Sequence, residues 1–181
     1  MWSLRSGGGV RPLPIIGLVS SAVVTALDQL SKWFVTGPVG LNTLGGAVID
    51  LLPIFRVRFV ANIGVSLGLL SANNDTTRWL LVAMTSAIAM GVLVWMTQER
   101  NRQDQFALGL VLGGAIGNIL DRARFGYVVD WADLHFGDWS PFLVFNLADA
   151  AITTGVLVLL ARALLVRDKP APTVSVENGN A

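Results

Sequence analysis

The chain has 181 residues, of which 53% are hydrophobic and only 14% charged, with a mean hydropathy of +0.61. A soluble domain carries roughly a quarter charged residues, so the composition is that of a membrane protein, with room for one domain. A formal net charge of +1 gives no basis for nucleic-acid binding; the lack of cysteine excludes disulfides, thiol nucleophiles and Cys-ligated zinc, and one histidine, His135, with no HExxH, is too little for a His-based zinc site.

Residues 1–13, with Arg5, Arg11, Pro12 and three consecutive glycines, read as a disordered lead. An apolar run from Leu13 to about Val35 is the first expected span. No A-x-A-like site closes it, so it reads as a retained helix rather than a cleaved leader. Asp28 and Lys32 lie near its end at i and i+4, where they can pair. Read alone, the pair is a structural one that snorkels to the interface.

Gly37 to Asn74 contains no run long enough to span. Within it IFRVRFVAN alternates, with Val57, Phe59 and Ala61 on one side and Arg56 and Arg58 on the other, which predicts a half-exposed strand. In NIGVSLGLL, Asn62, Gly64 and Gly68 allow tight backbone geometry. The expectation is a small sheet-like element on the membrane surface. Trp79 to Thr97 is an uncharged second span with Trp79 and Trp95 at its ends, as interfacial aromatics sit. QERNRQD reads as a turn. Phe106 to about Leu120 is the third span, rich in small residues suited to close helix packing. Ala123 to Pro141 reads as a connector, and Phe142 to about Leu165 as the fourth span, with Asn146 and Asp149 in its first turns and sharing a face. Residues 167–181 read as a disordered tail.

Four spans put both termini on one side. Arg100, Arg102, Arg162, Arg167 and Lys169 lie in short stretches on that side, where the positive-inside rule applies best. Asp28, Asp121, Asp130, Asp133, Asp138 and Asp149 fall on the other. The termini are therefore expected in the cytoplasm and the polar cluster at the outer face.

That cluster holds Asp28, Lys32, Asn62, Asn118, Asp121, Arg122, Asp130, Asn146 and Asp149. Ionisable residues at the ends of membrane helices mark function by default. Ser31 and Lys32 are adjacent, hence about 100° apart on a helix, and cannot form a Ser–Lys pair. Paired carboxylates remain: two acids in a low-dielectric site share a proton, and together they activate water and protonate a leaving amine. Spacing alone does not choose Asp130 over Asp121 as the partner of Asp149. A proton-coupled transporter would also use intramembrane acids, but such proteins tend to show internal repeats and midplane sites, and neither is evident here. A purely structural membrane partner predicts that no single Asp is essential.

The order and spacing of DQLSK, NIGVSLG, GGAIGNILDR, YVVDW and FNLAD closely resemble the lipoprotein signal peptidases, or signal peptidase II. The resemblance covers nearly the whole chain, as a single membrane-integral peptidase domain. It implies a mainly α membrane protein with four transmembrane helices, a small periplasmic β-cradle and a periplasmic extension, in the bacterial inner membrane. It implies an aspartic endopeptidase, working without a cofactor, that cuts diacylglyceryl-modified prolipoproteins just before the lipidated cysteine. The catalytic aspartates fall on Asp130 and Asp149. Asn118, Asp121, Arg122 and Asn146 match positions that shape the site and hold substrate; Asp28 and Lys32 match a pair that ties the first helix to it; Asn62 and Gly64 match the cradle motif. The implied partners are the prolipoproteins, membrane lipid and globomycin-type inhibitors, with the enzyme a monomer. One block departs from the family pattern N-x-G-A-A-F-[GS]: here Ser66 and Leu67 precede Gly68, with Leu67 in place of the aromatic.

Overall fold

The computed structural model describes residues 13–64, 75–137 and 139–165. Among these residues four helices run α1 (Ile15–Thr36), α2 (Asp75–Gln98), α3 (Arg102–Phe125) and α4 (Leu147–Leu165). All four are long and apolar enough to cross a membrane. Three strands of the described residues, β1 (Val48–Leu52), β2 (Phe55–Asn62) and β3 (Val128–Leu134), form an antiparallel sheet in the order β1-β2-β3. The sheet is packed on the C-terminal end of α1, where Val35, Leu41 and Val57 form a small core with Phe55, Phe59 and Trp131 against it.

α3 is the axis of the bundle and packs against α1, α2 and α4. In lipid, apolar surface has no hydrophobic reason to leave its surroundings, so helix association depends on close packing. Glycines supply it. A Cβ on Gly113 would stand 2.6 Å from the Ser21 carbonyl of α1, and one on Gly155 would stand 2.6 Å from the Ala107 carbonyl of α3. Gly109 and Gly117 lie one turn before and after Gly113, where a Cβ would collide with Ser20 and with the Asp28 carboxylate. Leucines, valines and methionines such as Leu27, Leu30, Leu80, Met84, Val156 and Leu160 cover the outer surfaces, exposed as lipid-facing residues are.

Several expected boundaries move. The third helix does not stop near Leu120; it continues through Asp121, Arg122 and Arg124 to Phe125, where Gly126, at φ 84°, ends it in the left-handed conformation. Arg78 of α2 covers that end, donating to the carbonyls of Arg122 at 2.8 Å and Ala123 at 2.6 Å. The stretch expected as a connector holds β3. This strand is buried on both faces, so it shows no alternation in sequence. The fourth helix begins at Leu147, not near Phe142, because Phe145 is bonded to the sheet: its carbonyl accepts from the amides of Trp131 and Ala132, and its amide donates to Ala132.

The alternation expected along β2 also breaks. Val57 faces Ala132 and Val60 faces Asp130, so one extra residue sits in β2 between them. This β-bulge reverses which side chains share a face. Ala61 consequently lies exposed, away from buried Val57, and Asn62 comes onto the face that carries Asp130. The expected disorder of residues 1–12 and 167–181, and the altered cradle residues Ser66, Leu67 and Gly68, fall outside the described residues, as does Asp138.

Candidate active site

The site is assembled at the end of the bundle where the sheet sits, and its foundation is a buried ion cluster. Lys32 Nζ lies 2.8 Å from Asp28 Oδ2 and 2.8 Å from Asp121 Oδ2, and it donates to Asn118 Oδ1 at 3.2 Å. All three charged side chains are almost completely buried, so the expectation of a pair snorkelling to the interface is corrected. Buried charges persist only when their remaining lone pairs are met. Here the Ala148 amide donates to Asp28 Oδ1 at 3.0 Å, the Val129 amide to Asp121 Oδ2 at 3.0 Å, and Gln29 Nε2 to Asp121 Oδ1 at 2.8 Å. One ammonium thereby joins α1, α3, the start of β3 and the start of α4. Gln29 is a member that sequence reading missed; only its place beside Asp28 hints at it.

Asn146 stands directly before α4, as its cap rather than in its first turn. Its Oδ1 accepts the Asp149 amide at 2.9 Å, while Asp149 Oδ2 accepts the Asn146 amide at 3.3 Å. This reciprocal arrangement is a capping box, and it fixes Asp149 at the mouth of the bundle. With its oxygen so engaged, the Asn146 amide nitrogen turns to the other acid and donates to Asp130 Oδ1 at 2.6 Å and to Asn118 Oδ1 at 3.2 Å. Asn118, which takes the Lys32 bond on its oxygen, donates its nitrogen to Asp149 Oδ1 at 2.8 Å.

Asp130 is held from the sheet side by the same logic. Gly64, at φ 83°, donates its amide to Asn62 Oδ1 at 2.9 Å. This leaves Asn62 Nδ2 to donate to Asp130 Oδ2 at 2.8 Å. Arg122 extends beneath Gly64, where a Cβ would stand 3.4 Å from Nη2. Its buried Nε has no hydrogen-bond partner, and its charge acts on Asp149, Asp130 and Asp121. Burial pushes the Asp130 carboxyl up to about 6; the Asn62 hydrogen bond opposes that rise, and the nearby Asp149 charge adds to it.

Nine of the ten sequence-predicted positions are thus joined in one network by hydrogen bonds and ion pairs, and the tenth, Arg122, lies beside it under Gly64. His135 is not part of it: its Nδ1 is 3.2 Å from the Gly137 carbonyl. Two grooves open on the acids. One, about 520 Å³ and mainly apolar, runs past Leu134, Phe142, Ala150 and Thr154 and reaches Asp149. The other, about 290 Å³ and more polar, lies between Leu143–Val144 and the end of β2, from Arg58 to Gly64, and reaches Asp130. Leu143 borders both. Chemically, the arrangement offers two carboxylates of unequal burial, oriented by amide donors and acted on by the charge of Arg122.

A family profile described as signal peptidase (SPase) II matches residues 20–165. The chain is 54% identical to a lipoprotein signal peptidase of Rhizorhabdus wittichii, over 92% of this chain and 94% of that protein. It is 53% identical to a lipoprotein signal peptidase of Sphingopyxis alaskensis, over 84% and 87%. A solved bacterial membrane enzyme superposes with a TM-score of 0.72 at 26% identity, covering 88% of this chain and 97% of that one.

Proposed function

The chain belongs to the signal peptidase II family, peptidases that remove signal peptides from prolipoproteins, and from that premise we propose an aspartic mechanism centred on Asp130 and Asp149. The single observation that carries this reading is Asn146: one amide caps Asp149 and binds Asp130, holding two carboxylates from different elements beside each other. The proposed substrate is a diacylglyceryl-modified prolipoprotein, and the proposed cut is just before the lipidated cysteine.

In this reading the shared proton rests on Asp130, whose carboxyl burial raises to about 6. Asp149 then takes a proton from a water as that water attacks the scissile carbonyl, and Asp130 gives its proton to the carbonyl oxygen. The tetrahedral intermediate collapses as the carbonyl reforms and the C–N bond breaks. The proton held on Asp149 passes to the leaving amine, and a proton from the hydroxyl returns to Asp130. Asn62 and the Gly64 backbone line the approach and hold the substrate backbone, with the charge of Arg122 beneath them. Asp28, Lys32 and Asp121 act through Asn118 and the start of α4. The acyl chains stay in the bilayer beside α4, next to the apolar groove. In this reading the termini are cytoplasmic, the site lies at the outer face of the inner membrane, the enzyme works as a monomer, and globomycin-type peptides compete for the same grooves.

The test is a gel-shift assay with purified protein in detergent and a diacylglyceryl-modified prolipoprotein. Wild type should cut before the lipidated cysteine, and Asp130→Asn and Asp149→Asn should each lower turnover by at least about a thousandfold, as loss of a group acting in the transition state does. Undiminished turnover in either variant removes that residue from the mechanism.

A further inference from the structure

The groove over Asp130 contains a cation that the chemistry above does not use. Arg58 sits in the β2 bulge with its side chain 40% exposed, and it lines the groove at the end opposite Asn62 and Gly64. Its Nε is 3.0 Å from Asp133 Oδ2 but out of hydrogen-bonding alignment. The aligned bond to that same oxygen belongs to Arg56 Nε, at 2.7 Å. One fully buried carboxylate therefore anchors two guanidiniums. The other nearby acid on the sheet, Asp50, lies opposite Arg56 on β1, one strand further from the groove. Asp130 lies on β3 across from Val60 and is bound by Asn62 and Asn146. The Arg58 end is left with an anchored, accessible positive charge that no described residue neutralises in full.

We propose that Arg58 is a specificity-determining residue that favours an acidic side chain within the first few residues after the cleavage point. The inference rests on the peptidase reading above. The apolar signal segment belongs with the helices in the bilayer, whereas the released chain is polar and continues on the side where the sheet stands. An extended chain advances about 3.3 Å per residue, so a groove flanked by Arg58 through Gly64 accommodates several residues beyond the scissile bond. An acid near Arg58 gains a charge-assisted hydrogen bond, and a lysine there meets like charge.

The test is a series of lipidated prolipoproteins carrying Asp, Asn or Lys in turn at the second, third and fourth residues from the cysteine, with kcat/KM measured at low ionic strength. At one of these positions wild type should rank Asp over Asn over Lys, by about fivefold between the extremes, the scale of a partly exposed pair. Arg58→Gln should bring the three to within about twofold, while Arg58→Lys should preserve the order. A ranking that survives in Arg58→Gln, or equal rates at every position in wild type, overturns the assignment and leaves the peptidase reading standing. Failure of wild type to cut any member of the series overturns the peptidase reading instead.

Discussion

Asp130 is buried to 1% exposure, and this sets a sign that can be measured. Folding raises its carboxyl from an ordinary value of 3.8 to about 6. A raised acid favours the folded state only while protonated: the benefit is complete below the ordinary carboxylate range and is lost as pH rises through about 6. Asp130→Asn abolishes that loss. Thermal unfolding in one detergent should therefore show the variant gaining on wild type between about pH 4 and about pH 7, and a constant difference across that range contradicts the assignment. The catalytic consequence has its own sign. In the proposed mechanism the dyad holds one proton, so kcat/KM should fall as pH rises through about 6 in the free enzyme. Asn62 Nδ2 stabilises the Asp130 carboxylate, so Asn62→Ala should lower the rate and move that limb to higher pH; an unmoved limb means the bond does not govern the titration. Spacing could not choose between Asp121 and Asp130 for a physical reason. Both oxygens of Asp121 are occupied by Lys32, Gln29 and the Val129 amide, and two of those partners are about ninety residues away in sequence.

Elements were legible in proportion to how local their signals are. The four apolar runs appear as helices because each carries its own length and polarity, and the small residues of α3 announce close packing. β3 escaped because burial on both faces erases alternation, and the β2 bulge escaped because a single inserted residue leaves no compositional mark. Yet the bulge decides which face Asn62 occupies. The glycine stripe gives the prediction at this scale. A Cβ on Gly117 would be driven into the Asp28 carboxylate, whereas one on Gly91 meets nothing within 4 Å. Gly117→Ala should cost about 2 kcal/mol or more, since overpacking also disturbs the buried Lys32 cluster. Gly91→Ala, in the open on α2, should be neutral or stabilise by up to about 1 kcal/mol. Equal unfolding temperatures for the two variants would show that α1 and α3 are not packed as tightly as these distances require.

At the scale of the whole molecule, the bundle has two polar ends of different character. One carries the sheet, the ion cluster and both aspartates. The other carries the α2–α3 turn with exposed Arg100, and the pairing of Arg162 with Asp104. Counts of basic residues barely separate these ends in sequence, so orientation is the least legible property of the chain, and the proposed one needs a direct test. The chain has no cysteine of its own, which makes single-cysteine variants unambiguous reporters. Leu44, exposed in the connection between α1 and β1, and Gln98, at the exposed end of α2, report on opposite ends. In intact cells with a permeable outer envelope, a membrane-impermeant maleimide should label Leu44→Cys at once and Gln98→Cys only after the inner membrane is opened. The reverse pattern would put Asp130 and Asp149 on the cytoplasmic side. A prolipoprotein whose mature part has been carried across the membrane would then present its scissile bond on the wrong face, and the proposed cleavage could not occur.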